Sequence, residues 1–420
     1  MRKLYKSIRK NTKLLITTSI GCAVLSVSSL TQTFAQIAPA NCKFLGNIVS
    51  SNLPTGFGNL WNQVTPENAG KWGSAEPTQD NMSWTDLDLA YNYAKENNLP
   101  FKHHAFVWGQ QQPSWIDNLA TDAEKREEVE EWIKVYSERY PDTDLVDVVN
   151  EPLHAPPSYR GALGGSGVTG WDWVIWSFEK AREYLPDAKL ILNDYNILNS
   201  ASATASYLEI INLLHSRGLI DGIGVQAHFL ESTSISLIKS NLDMLAATGL
   251  PIYVSEYDVN IANDQQQLEK YQEQFPVIWQ HPGVYGVTLW GYRQGEIWRT
   301  DAYLVRSNGL ERPALKWLKQ YFQTQGNNFC DNTATGLQES ILQQEIKLYP
   351  NPATNGEVTL QLTNELYDEV KVYNMNGRVI ESVSIKNQNA IKLKLNAAPG
   401  IYIMQFSNSK YTVTKRLVVQ

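Results

Sequence analysis

Cysteine is nearly absent: the 420 residues hold three, Cys22, Cys42 and Cys330. So few exclude a small disulfide-stapled scaffold. Basic patches are missing as well. Over residues 36–330 there are 35 acidic against 21 basic side chains, with no cluster of Lys and Arg. Nucleic acid is therefore a poor partner, because phosphate binding needs those residues, and a neutral polymer fits better. No glycine-rich phosphate turn follows the first strand-like stretch, which weighs against a doubly wound dinucleotide-binding sheet. Tryptophan is lacking after residue 317 and histidine after residue 281, so composition breaks near residue 330. Charged residues make up 19% and apolar residues 43%, which suits a folded chain with an ample core.

What is present begins with an address. Arg2, Lys3, Lys6, Arg9, Lys10 and Lys13 precede an apolar, small-residue run from Leu14 to Leu30, and Thr33-Phe34-Ala35 offers a cleavage site. Residues 1–35 read as a secretory signal. The alternative, a single membrane anchor, is disfavoured by the Ser and Thr in a run short for a span. Cys22 after Gly21 hints weakly at lipidation, since Ser19 stands where such a signal wants Leu. The mature chain is then exported, with no stable membrane span. Cys42 and Cys330 bracket the chemistry-bearing region, and in an oxidising compartment they are expected to pair.

Residues 36–330 alternate strand-like and helix-like stretches. Strands are expected at 44–49, 60–65, 101–107, 145–150, 189–194, 222–227, 252–257 and 284–290. Helical patterns run from Thr121 (a capping box with Glu124) to Tyr140, and over 171–184, 203–217, 234–247 and 265–280. Eight strands alternating with helices predict a (β/α)8 barrel, with an open α/β sheet as the alternative. Residues 331–345 are polar and read as a linker; residues 346–420 read as a small all-β sandwich, Ig-like, with Asn-Gly turns.

Chemistry gathers where the strands run out. Leu145-Val146-Asp147-Val148-Val149 delivers Asn150 and Glu151, and Ile252-Tyr253-Val254-Ser255 delivers Glu256 and Asp258. The other strand exits supply Glu67, Asn68 and Lys71, then His104, Trp108 and Gln111, then Gln226 and His228, then Trp290 and Trp298. In a barrel these ends share one face. Trp faces stack on sugar rings, amides bond hydroxyls, and two carboxyls can flank a glycosidic bond. Glu151 is the expected acid/base, with a raised pKa. Glu256 is the expected nucleophile, oriented by His228 and Asp258. Of the adjacent pair His103-His104, neighbours on a strand face opposite ways, so the pair makes a poor zinc site and His104 is the expected inward residue. No metal or cofactor is expected.

WNQVTPENAGKW, HHAFVWGQQQPSW, DVVNEP, LILNDYNI, GIGVQAHF, VSEYDV and VTLWGY, in this order, make residues about 42–325 resemble glycoside hydrolase family 10, the retaining endo-β-1,4-xylanases. The resemblance implies a xylan-type substrate, retention and no cofactor. It places acid/base chemistry on Glu151 with Asn150 as its amide partner, the nucleophile on Glu256 supported by His228 and Asp258, and sugar contacts on Glu67, Asn68, Lys71, His104, Trp108, Gln226, Trp290 and Trp298. A β-glucanase on the same barrel and a silent carbohydrate-binding protein are the alternatives. Three departures stand out: Gly109 where the family usually has His, Pro152 where it often has Ala, and a Gly- and Pro-rich loop from His154 to Gly170. The tail, with LYPNPATNGEVTLQL, VKVYNMNGRVI and LNAAPGIYIMQF, resembles the C-terminal sorting domain of type IX secretion. That implies the export machinery as a partner and a surface or extracellular location. The cysteine pairing is checked by thiol titration: the secreted protein, denatured without reductant, is expected to show no free thiol, and two would exclude a Cys42–Cys330 bond.

Overall fold

A computed structural model describes residues 36–38, 43–325, 346–362, 367–374, 378–386, 388, 390–408 and 412–420. The leader 1–35, the linker 331–345 and both cysteines of the expected Cys42–Cys330 pair lie outside the described residues. Eight parallel strands form one sheet: β1 (Phe44–Val49), β2 (Val64–Pro66), β3 (Lys102–Val107), β4 (Leu145–Asn150), β5 (Lys189–Asp194), β6 (Gly222–Val225), β7 (Ile252–Tyr257) and β8 (Val284–Leu289). Their order is β2-β1-β8-β7-β6-β5-β4-β3. A parallel bridge from Val64 to Phe101, with Val64 N donating to Pro100 O at 3.0 Å, joins the two ends. The sheet is therefore a closed barrel, and the open-sheet alternative falls.

The helices between the strands are α1 (Trp72–Ala75), α2 (Thr85–Glu96), α3 (Asp122–Arg139), α4 (Asp172–Tyr184), α5 (Ala201–His215), α6 (Ile235–Ala246), α7 (Asp264–Gln280) and α8 (Pro313–Gln325). The capping box opens α3 as the sequence predicts: Thr121 Oγ1 accepts from Glu124 N at 3.2 Å, and Thr121 N donates to Glu124 Oε2 at 2.8 Å. The strand expected at 60–65 is shorter, spanning only Val64–Pro66. Its front half is displaced by a 3-10 turn at Phe57–Asn59, and the Asn62 side chain takes the Leu45 N–H at 2.6 Å. Trp61 packs edge-on to Tyr292 at 5.3 Å. The sixth strand likewise stops at Val225 rather than 227, because Ala227 turns to a positive φ of 62°.

The barrel interior is layered by residue type. At the N-terminal mouth of the strands, Phe44, Leu145, Ile191 and Tyr253 form a closed apolar plug, and Phe44 stacks on Tyr253 at 5.8 Å. Gly286 makes room for it, since a Cβ there would lie 2.3 Å from the Phe44 ring. One layer up the filling turns ionic. Lys102 Nζ lies 2.6 Å and His104 Nδ1 2.9 Å from the same oxygen of Asp147, all three fully buried. Outside the strands, Trp132 and Tyr136 of α3 pack with His103 and Phe106 of β3. So His103 faces the helix layer and His104 faces the barrel interior.

The C-terminal region is all β. One sheet holds β9 (Ile346–Tyr349), β10 (Glu357–Leu362) and β13 (Ala390–Lys394), and the other holds β11 (Glu369–Asn374), β12 (Val379–Ser384), β14 (Gly400–Ser407) and β15 (Thr412–Val419). Alternate residues of both, among them Leu360, Val370, Met404, Phe406 and Leu417, share one buried cluster. Among the described residues, no helix is long and apolar enough to cross a membrane. The buried Lys102–Asp147 contact generates a stability prediction: Lys102→Met strands the Asp147 charge and is expected to lower the unfolding free energy by about 3–5 kcal/mol, measured by denaturant titration.

Candidate active site

The C-terminal ends of the strands open into a groove that includes Glu67, Lys71, Trp108, Glu151, Glu256 and Trp290 in its lining. β4 delivers Glu151 one residue beyond its end, with a positive φ of 56°. That backbone region is uncommon outside glycine. It is held by Glu151 N donating to Asn193 O at 2.7 Å and by Ala155 N donating to Glu151 O at 2.8 Å. The turn points the carboxyl into the groove beside the end of β7, where Glu256 lies.

A ladder of amides connects the two carboxyls. Gln226 Nε2 donates to Glu151 Oε1 at 3.0 Å and to Asn150 Oδ1 at 3.2 Å. Asn193 Nδ2 donates to Asn150 Oδ1 at 2.9 Å and to Glu256 Oε1 at 2.8 Å. Ser255 Oγ, donating to Asn193 Oδ1 at 2.5 Å, fixes which end of that amide carries the hydrogens. Asn150 itself reaches Glu151 only at 3.4 Å. The closer amide on the Glu151 carboxyl is therefore Gln226, a residue expected to touch sugar.

The surroundings push the two carboxyls in opposite directions. Burial pushes Glu151 up; the Gln226 bond pulls against this, and the negative charge of Glu256 pushes it further up. Glu256 is also penalised by burial, yet His104 and His228 outweigh that and hold it at about 2. His228 Nε2 lies 3.2 Å from Glu256 Oε2, and its Nδ1 lies 2.8 Å from Asp258 Oδ2. Burial works against the charge on His228, but Asp258 and then Glu256 raise it to about 9. Burial lowers His104, against the pull of Asp147 and Glu256. The two neighbouring carboxyls are thus pushed apart, Glu151 upward and Glu256 downward, the pattern that separates a proton donor from an ionised partner.

The remaining lining suits an uncharged, hydroxyl-rich chain. Lys71 donates to Asn68 Oδ1 at 2.9 Å and sits 5.0 Å over the Trp108 ring, with its pKa lowered by burial. Glu67 accepts from Ser50 Oγ at 2.5 Å. His104 meets Trp290 edge-on at 5.0 Å. Gln111 lies on the same wall. Trp298 is 52% and Phe229 43% exposed, and they stand edge-to-face at 6.0 Å. All the expected site residues among the strand exits line this groove except Asp258, which sits behind His228. Tyr195, at the exit of the fifth strand, and Phe229 line it too, though neither is marked out by residue type. Arg299, bonded to Asp258 Oδ1 at 2.5 Å, was equally unmarked.

Two of the sequence departures, Gly109 and the loop from His154 to Gly170, meet in one place. Gly109 N donates to Ala155 O at 3.0 Å, and a Cβ at Gly109 would lie 2.5 Å from Pro156 O and 2.7 Å from Ala155 O. Gln112 Oε1 accepts from Ser158 N at 3.0 Å, and Ser158 Oγ donates to Asp117 Oδ1 at 2.5 Å. His154 Nδ1 lies 2.7 Å from Asp194 Oδ1 and its ring packs, tilted, against Tyr195 at 4.1 Å. The loop after Glu151 is thereby tied to the loop after β3 and to the end of β5.

Comparison with known proteins follows from this geometry. Residues 31–321 match the profile of Glycosyl hydrolase family 10, and residues 347–420 match a Secretion system C-terminal sorting domain. The chain is 44% identical over 281 residues to endo-1,4-beta-xylanase B of Cellvibrio japonicus, covering 66% of this chain and 45% of that protein. It therefore spans less than half the length of that relative. It is 30% identical over 266 residues to endo-1,4-beta-xylanase A of Caldicellulosiruptor saccharolyticus, covering 57% of this chain and 78% of that one. Among solved structures, native xylanase 10B from Thermotoga maritima superposes with a TM-score of 0.61 at 25% identity, over 69% of this chain and 97% of its own.

The contact at Gly109 is open to a direct test. Gly109→Ala puts a methyl into the Ala155–Pro156 backbone, and a loss of about 1–3 kcal/mol is expected, read as a lowered midpoint in thermal unfolding.

Proposed function

Because the chain belongs to glycosyl hydrolase family 10, we propose that it is a retaining endo-1,4-β-xylanase that cuts internal bonds of a xylan-type chain by double displacement. The observation that carries this reading is the pair of carboxyls at the ends of β4 and β7, joined through Asn150, Asn193 and Gln226 yet pushed in opposite directions by their surroundings.

In the first step the ionised Glu256 attacks the anomeric carbon while Glu151 hands its proton to the leaving glycosidic oxygen. A covalent glycosyl–enzyme results, with its new ester on Glu256. Glu151, now a carboxylate, takes a proton from an incoming water, which attacks the same carbon and releases Glu256. Both displacements invert, so configuration is retained overall. Asn193 and the charged His228 fix the Glu256 oxygens for in-line attack. Gln226 fixes Glu151. The aromatic rim of Phe229, Trp290 and Trp298 offers faces for the apolar sides of the sugar rings. Glu67, Asn68 and Lys71 offer polar groups to their hydroxyls.

The tail's match to a sorting domain supports export by the type IX route to the cell surface or medium, with the secretion machinery as the tail's partner. On this reading residues 346–420 are removed or exchanged for an anchor during export.

Glu151→Ala is expected to lose roughly 10²–10⁴-fold in turnover on xylan, the usual contribution of a positioned acid/base, and Glu256→Ala at least as much, while both still bind the polymer. Wild-type-like turnover in either would remove the role assigned to it. Reducing-sugar release from xylan should exceed that from cellulose and mixed-linkage glucan. The first product seen by proton NMR should be the β-anomer.

A further inference from the structure

We infer that Arg299 is a positioning residue for the nucleophile, clamping Asp258 from behind so that His228 stays fixed against Glu256 while the same guanidinium props Phe229 at the groove rim. The inference rests on the reading of Glu256 given above.

Arg299 follows Trp298 in the loop after β8, and its side chain is only 11% exposed. One guanidinium nitrogen lies 2.5 Å from Asp258 Oδ1 and 2.9 Å from Glu231 Oε1. Glu231 is itself pinned, accepting from Asn260 N at 2.7 Å. The other Asp258 oxygen lies 2.8 Å from His228 Nδ1, and the far nitrogen of that ring reaches Glu256. A continuous run of alternating charge therefore joins Arg299 to the Glu256 carboxylate through Asp258 and His228.

Backbone conformation gives a second, independent reason for a clamp here. His228 is flanked by Ala227 and Phe229, with φ values of 62° and 61°. Both are left-handed positions that non-glycine residues enter at a cost and keep only when their surroundings enforce it. Arg299 stacks on the Phe229 ring at 4.6 Å, and Trp298 meets His228 at 4.9 Å and Phe229 at 6.0 Å. The two residues brace both the His228 ring and its strained neighbour.

The electrostatic sign is fixed by the groups around His228 and Glu256. From β7 come Asp258 and Glu256 itself; from the loop after β6, Glu231; from the loop after β8, Arg299. Across the barrel His104, Lys102 and Lys71 face Glu256. Removing the Arg299 charge leaves Asp258 uncompensated. The extra negative potential makes protons harder to remove from His228 and easier to add to Glu256. Both titrations then move to higher pH.

The test compares wild type with Arg299→Met, Arg299→Gln and Arg299→Lys in full-length protein, each checked by thermal melt. Two readouts are taken: the His228 imidazole titration by NMR, which needs no substrate, and the pH profiles of kcat and kcat/KM on xylan. In the neutral variants the His228 titration and the acidic limb of kcat/KM should both move up by about one pH unit, and kcat should fall roughly 10–100-fold. Lys at this position should restore the limb while recovering only part of kcat, since it keeps the charge but not the fork. If Met prevents folding, Gln reads the same shift with a polar side chain of similar reach. An unmoved His228 titration, or a rise in KM alone with an unmoved acidic limb, would overturn the inference and leave Arg299 a wall residue. Wild type inactive on xylan, with the NMR shift intact, would instead overturn the reading of the reaction and leave the clamp standing.

Discussion

The site depends on two side-chain amides doing what water would otherwise do. Asn193 and Gln226 each offer an NH2 group with two hydrogens, and each divides them between Asn150 and one of the two carboxyls. In a buried groove an unpartnered amide is costly and an unpartnered carboxylate far more so. Because every donation in the ladder depends on its neighbour, Glu151 and Glu256 cannot reorient separately. Ser255 sets the sense of the ladder by giving its proton to the Asn193 carbonyl. The opposite shifts of the two carboxyls then follow from position. Glu256 sits against His228, while Glu151 is bonded to the neutral Gln226 and feels the negative charge of Glu256.

The barrel makes this possible by grading its own interior. The apolar plug around Phe44 and Tyr253 seals the N-terminal mouth, and the Lys102–Asp147–His104 contact occupies the middle. Polarity rises along the strands toward the groove, so that charged groups at the C-terminal mouth are backed by a layer already organised for charge. His104 belongs to both layers: it touches Asp147 below and Trp290 at the groove wall.

Much of the fold could be read from residue order because parallel strands buried on both faces are near-continuous apolar runs. β4 and β7 are mostly apolar, fully buried strands, and Glu151 and Glu256 announce themselves by standing where those strands run out. Where tertiary hydrogen bonds override local pattern, the sequence misled. At 60–65 the residues look extended, but the Asn62 side chain replaces a ladder partner and shortens the strand. α2 and α8 escaped although the buried Leu87, Ala90, Tyr91 and Ala94 of α2 are spaced three and four apart. The α2 stretch carries two Tyr, one Asn and two Asp, which blur helical periodicity. In the site, residues that announce chemistry by type were legible. Gln226 was read as a sugar contact because nothing in its spacing reveals that Glu151 lies within reach. Arg299 carries no local signal at all, since its partners Asp258 and Glu231 are brought to it only by closure of the barrel.

The approach of Ala155 and Pro156 to Gly109 bears on how this groove could have diverged. A side chain at position 109 and a loop running across it are mutually exclusive occupants of one volume. Neither can be gained by a single change without passing through a clash or a void. Lineages that carry this loop should therefore carry the glycine with it, and a graft that moves one between relatives must move both.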